Sequence, residues 1–168
     1  MGHLEKTTSL LYSILEKNYR DFRIYSNASK HCKRLLFRNF LIKVAHQKKS
    51  FSKRIEQEIE SLENQNNIKG EGKINLRREW KNIPGPVLPV FRIEKDGIIK
   101  ECYRRERQNI GLYQNLLSRI SLGEIREMLL FQKHSVQLTL QEIEGFGLNI
   151  YEDLEEENGE GEKKYLGI

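Results

Sequence analysis

At 168 residues the chain has the length of one domain and can bury a sizeable core. Its 38% hydrophobic and 32% charged content suits helices with wetted outer faces, and the lack of any apolar run near about 20 residues excludes a helical membrane span. Charge is uneven: residues 152–168 hold seven acids and two lysines, net −5, which leaves +10 on the remainder of a chain whose total is +5. A basic body with an acidic tail fits either nucleic-acid binding, with the tail as competitor, or solvated helix faces with a solubilising tail. The absence of an aromatic-interleaved basic motif favours the second.

The N-terminal stretch has no charged segment followed by an apolar core, so it does not read as a secretion signal. Residues 4–25 predict a first helix with Leu11, Ile14, Leu15, Phe22 and Tyr25 inward, and Asn18 on the same stripe. Ser26-Asn27-Ala28-Ser29 supplies break and cap chemistry. A long second helix is expected from about 31 to 64, along Phe37, Phe40, Leu41, Val44, Lys48, Phe51, Ile55, Ile59 and Leu62. Gln47 and Lys48 interrupt its apolar stripe.

Residues 64–93 read as one long connection, with two glycines, a short segment carrying Trp80, and prolines that forbid a regular helix. A link of that length can run the length of a bundle. In the third helix, Ile99, Cys102, Glu106, Ile110, Tyr113, Leu117 and Ile120 recur at steps of three and four, with Glu106 the one carboxylate on the stripe. Ser121 and Glu124 have the spacing of a capping box before a fourth helix at about 122–144. Its inner positions are Ile125, Met128, Leu129, Val136, Thr139, Leu140 and Ile143, with Gln132 among them, and Gly145 and Gly147 end it. Phe146, Leu148, Ile150 and Tyr151 are placed to pack back before residues 151–168, whose Glu/Gly-rich composition predicts disorder. Cys32 and Cys102 are expected as buried thiols in a reducing, cytoplasmic compartment.

Each helix thus places a polar residue near the middle of its apolar stripe: Asn18, Gln47, Glu106 and Gln132. A carboxylate aimed into a helical core is costly unless paired, hydrogen-bonded or metal-bound. Di-metal carboxylate bundles use a Glu-x-x-His pair on each of two helices, and no such pair precedes His31, His46 or His134. One carboxylate and three amides are too few anionic ligands for two divalent ions. The favoured reading is a buried hydrogen-bonded layer, in which Glu106→Gln would be nearly neutral. The alternative is a metal site, iron included, on Glu106 with His46 or His134 reaching in. No Ser/His/Asp set, Cys/His dyad or phosphate-binding loop supports catalysis.

On these residues the chain resembles a family of bacterial ferritin-like four-helix-bundle proteins, a domain of unknown function distantly similar to rubrerythrin and ferritin. The resemblance spans roughly residues 8–145 and rests on Leu10-Leu11 through Asn18 to Tyr25, on Phe40, Gln47 and Phe51, and on Trp80. Cys102, Glu106, Tyr113 and Leu117, with Ile125-Arg126 and Gln132-Lys133, complete it. It implies an all-α, up-down ferritin-like bundle over residues 1–150 with a long crossover between helices two and three, possible homo-oligomers, and metal or stress-related roles. This chain departs where relatives carry Glu just before the first-helix Tyr, having Arg23 and Ile24, and where they carry a late His in helix four, having Leu140. The expectation is a non-catalytic interaction or oligomerisation module. A ferritin-like metal or oxidase protein centred on Glu106 is the first alternative. The second is a nucleic-acid binder using Lys43, Lys48, Lys49, Lys53, Arg54, Arg104, Arg105 and Arg107.

Overall fold

The structure, a computed structural model, describes residues 2–65 and 97–147. The connection containing Trp80 and the acidic tail lie outside the described residues. Within them the chain is all-helical: α1 (His3–His31), α2 (Leu35–Gln65), α3 (Gly97–Arg119) and α4 (Gly123–Glu144), with no strand.

The apolar stripes form two clusters at opposite ends of the helices. One joins Leu11, Ile14 and Leu15 of α1 to Ile55, Ile59 and Leu62 of α2, Tyr113 and Leu116 of α3, and Ile125 and Leu129 of α4. The other joins Ile24, Tyr25 and Ala28 to Phe37, Phe40 and Leu41, with Ile99, Cys102 and Ile143. Antiparallel pairs follow: α1 against α2, and α3 against α4. Because α2 ends in the first cluster and α3 begins in the second, α2 and α3 run in the same direction. Side-chain bonds fix these pairings near the ends. Tyr12 donates to Glu63 at 2.8 Å, and Tyr103 to Glu144 at 3.3 Å.

Two local expectations are corrected. The first helix does not break at Ser26–Ser29 but continues to His31. Ile24, Ala28 and Cys32, at steps of four, pack on the start of α2, and Ser29 satisfies its hydroxyl on the carbonyl of Ser26 at 2.7 Å. Burial of that face outweighs the turn preference of Ser and Asn. Ser121 does not cap α4 either. The N-cap is Leu122, without a side-chain cap bond, and the Ser121 hydroxyl instead meets the His3 ring at 3.2 Å.

The turn at Ile120–Leu122 is closed by Arg126. Its guanidinium donates to the carbonyls of Leu117 and of Ile120, the latter at 2.8 Å, which would otherwise be left unpaired at the end of α3. Beyond α4, Gly147 takes a positive φ of 70° and Phe146 folds back edge-on against Phe37 and Phe40, at 5.4 and 5.3 Å between ring centres. Both cysteines are buried free thiols.

Candidate functional site

Between the two apolar clusters lies a polar layer, and it has a charged part and a neutral part. The charged part centres on Glu106, fully buried on α3. The Tyr25 hydroxyl of α1 donates to its Oε1 at 2.7 Å, and the Lys48 ammonium of α2 donates to its Oε2 at 2.7 Å. Lys48 is also fully buried, and its ammonium lies 5.6 Å from the centre of the Phe51 ring.

Asn109, one turn along α3, extends this part to a second buried carboxylate. Its Nδ2 donates to Asp21 Oδ2 at 2.9 Å and to Glu106 Oε2 at 3.4 Å. Since carboxylates only accept, two of them on one side fix the orientation of the amide. Asn109 Oδ1 is buried with no hydrogen-bond partner among the described residues. Asp21 is neutralised from the rim, by Lys17 at 2.6 and 2.8 Å and by Arg105 at 3.6 Å. The layer therefore sets two acids against one buried and two rim cations.

The neutral part is a directed chain that links all four helices. Asn18 Nδ2 donates to the Ile14 carbonyl at 2.9 Å and to the Tyr113 hydroxyl at 3.3 Å. Tyr113 donates to Gln132 Oε1 at 2.8 Å, and Gln132 Nε2 reaches the Phe51 carbonyl at 3.4 Å. Burial, more than any neighbour, pushes the hydroxyls of Tyr25 and Tyr113 well above the usual tyrosine range. Burial and then the charge of Glu106 push the Cys102 thiol up in the same way.

Of the four polar-layer residues expected from sequence, the structure brings Asn18, Glu106 and Gln132 into the layer. Gln47 is half-buried at the rim, bonded to Ser135 and Thr139 of α4 at 3.5 and 3.3 Å, and Lys48 takes the inward place on α2. Sequence reasoning missed Asp21 and Asn109 and did not pair Lys48 with Glu106. The available signal was spacing: Lys48 lies four residues from Val44 and three from Phe51, Asp21 three from Asn18 and four from Tyr25, and Asn109 three from Glu106 and four from Tyr113.

Glu106, His46 and His134 do not form the metal set considered for them, because both histidines are exposed on the outer sides of α2 and α4. Among the described residues no three of His, Cys, Asp and Glu are grouped to hold an ion. The Lys48 ammonium also stands against Glu106 where a cation would sit. These residues do not fit a di-metal centre.

Of the basic residues considered for nucleic acid, Lys49, Lys53 and Arg107 are exposed. Lys48 is internal, Arg105 faces Asp21 and Glu101, and Lys43, Arg54 and Arg104 pair with Glu142, Glu58 and Glu101. The α2–α4 groove, of about 610 Å³, is lined by Phe51, Arg54, Glu124, Met128, Phe131 and others and touches the layer only at Gln132. What the layer can do chemically is neutralise buried charge and fix the helices against one another. Comparison with protein-family models, with curated proteins and with solved structures yields no match to this chain.

Proposed function

We propose that this chain is a ferritin-like four-helix bundle that works as a non-catalytic interaction module, with Lys48 serving as the internal cation that balances Glu106. The ferritin-like reading is supported by the direction of the helices, two antiparallel hairpins with α2 and α3 parallel. A non-catalytic core is supported by the closure of the layer. Glu106, Lys48 and Asp21 are each 0% exposed, and both oxygens of Glu106 already accept hydrogen bonds from fixed donors. An acid or base needs to reach the proton it transfers, and none of these groups meets solvent.

The observation that carries the interaction role is the outer face of α4. Leu130, Phe131 and Leu138 stand there 48%, 68% and 51% exposed. Scattered surface leucines need no explanation, but three large apolar side chains on one ridge mark a contact surface. Site-specific photo-crosslinking in expressing cells tests this. A crosslinker at Gln137, exposed on that ridge, should give discrete macromolecular adducts, whereas one at Gln108, exposed on α3, should not. No adduct from Gln137, or equal adducts from both, would reject the reading.

A further inference from the structure

Building on the interaction role of α4, we infer that the partner on this face is a second copy of the same chain, packed antiparallel about a two-fold axis at His134. The first support is the spacing of the ridge. In an antiparallel pair centred on one residue, positions equally far before and after it face each other. Leu130 and Leu138 lie four residues on either side of His134, so each leucine meets the other leucine of the second copy. Glu127 and Gln141 lie seven residues on either side and place a carboxylate against an amide donor. All of these residues are exposed.

The second support is charge. The chain carries 29 Lys and Arg, yet no exposed residue of α4 is a lysine or arginine, and its one exposed histidine, His134, is counted neutral at pH 7. Arg126 is half-buried and spent on the α3 carbonyls, and Lys133 is half-buried beside the ridge. Each of the other three helices exposes lysine or arginine, at Lys6 and Arg20, at Lys49 and Lys53, and at Arg107 and Arg119. Two copies of a basic body therefore meet with least repulsion along α4.

The third support is area. Leu130, Phe131 and Leu138 together present roughly 300 Å² of apolar surface, the size of the largest patch on a typical monomer, which is often a functional one. Pairing two ridges removes roughly 600 Å², the apolar share of a contact near 1,000 Å² in total, at the lower bound for specific association. A micromolar, reversible dimer is the expected result.

Sedimentation velocity of the full chain at tens of micromolar tests the inference. The expected species has twice the 19.9 kDa chain mass. Leu138→Lys, on an exposed position that leaves the core intact, should raise the dissociation constant at least tenfold. His134→Cys should give a disulfide-linked dimer on mild oxidation, because a residue on the axis meets its own copy, while Gln108→Cys should not. A dimer that survives Leu138→Lys, or equal cross-linking at both positions, would overturn the inference. So would a monomer whose Gln137 crosslinker captures a different macromolecule, an outcome that leaves the interaction module standing. A monomer without adducts would remove both.

Discussion

The charged and neutral parts of the layer lie side by side and solve the same problem differently. In the neutral part, polar atoms of Asn18, Tyr113 and Gln132 are matched donor to acceptor, so burial is compensated bond by bond. In the charged part, Glu106 and Lys48 are matched in charge as well, and each depends on the other to be buried at all. The lesson is one of fragility. Losing a neutral member leaves an unpaired dipole, whereas losing a charged member leaves an unpaired ion in a low-dielectric interior.

The sharpest break of this comparison comes from Lys48→Met or Glu106→Gln. Each should cost about 3–5 kcal/mol in denaturant unfolding, because the remaining ion has no counter-charge. This reverses the near-neutral Glu106→Gln expected of a purely hydrogen-bonded layer, and a loss under about 1 kcal/mol would show that the pair is not what holds Glu106. The double change Lys48→Met with Glu106→Leu removes both ions. It should recover part of that loss, with about 1–3 kcal/mol retained because the buried Tyr25 hydroxyl is left without its acceptor. No recovery would mean that the two side chains act independently.

Tyr25→Phe and Tyr113→Phe compare the two parts at one hydroxyl each. Tyr25→Phe removes a donor to a carboxylate and should cost about 1.5–3 kcal/mol, whereas Tyr113→Phe removes two neutral bonds, a long one from Asn18 and a shorter one to Gln132, and should cost about 1–1.5 kcal/mol. Equal losses would erase the distinction between the parts.

The pH response is the next measure. Both phenols and the Cys102 thiol have folded pKa values raised above their unfolded ones. Above the unfolded values, near 9 for the thiol and near 10 for the phenols, the unfolded chain binds fewer protons than the folded one, so stability falls as pH rises. Unfolding midpoints should therefore decline above about pH 9 and the decline should be shallower in Tyr113→Phe; an equally steep decline in that variant would exclude Tyr113 as a source. Smallest of all, Gln47→Ala at the rim should stay within about 0.5 kcal/mol of the parent.

The four helices were legible because their apolar stripes are long and regular. All of Phe37, Phe40, Leu41, Val44, Phe51, Ile55, Ile59 and Leu62 are buried, as their spacing predicts. Asn18, Glu106 and Gln132 were legible for the same reason, being polar residues on apolar stripes. Asp21 and Asn109 were not read, although Asp21 stands three residues from Asn18 and four from Tyr25, and Asn109 three from Glu106 and four from Tyr113; Ile110 was taken as the inward residue of α3 instead, and the partners that make the two polar side chains internal lie on different helices. Lys48 was on the line but read as an interruption, because a lysine commonly extends its ammonium to water and only three-dimensional packing shows that this one cannot. The break expected at Ser26–Ser29 failed because local turn chemistry does not register the tertiary contacts of Ala28 and Cys32.

The pairing of Lys48 with Glu106 also bears on how the chain reaches its fold. The α1–α2 and α3–α4 hairpins each have a connection of three residues between helices, so each can form early from local contacts. Glu106 belongs to one hairpin, and its two principal donors, Tyr25 and Lys48, belong to the other. Neither hairpin can complete its own interior. The α3–α4 hairpin alone carries a carboxylate that has to stay hydrated, and sliding by one turn on docking, about 5.4 Å, would set that carboxylate against hydrocarbon. The native register is the one in which Tyr25 and Lys48 both reach Glu106. The ion pair thereby adds to the apolar packing a term for register, because any other register would leave a charge without its partner.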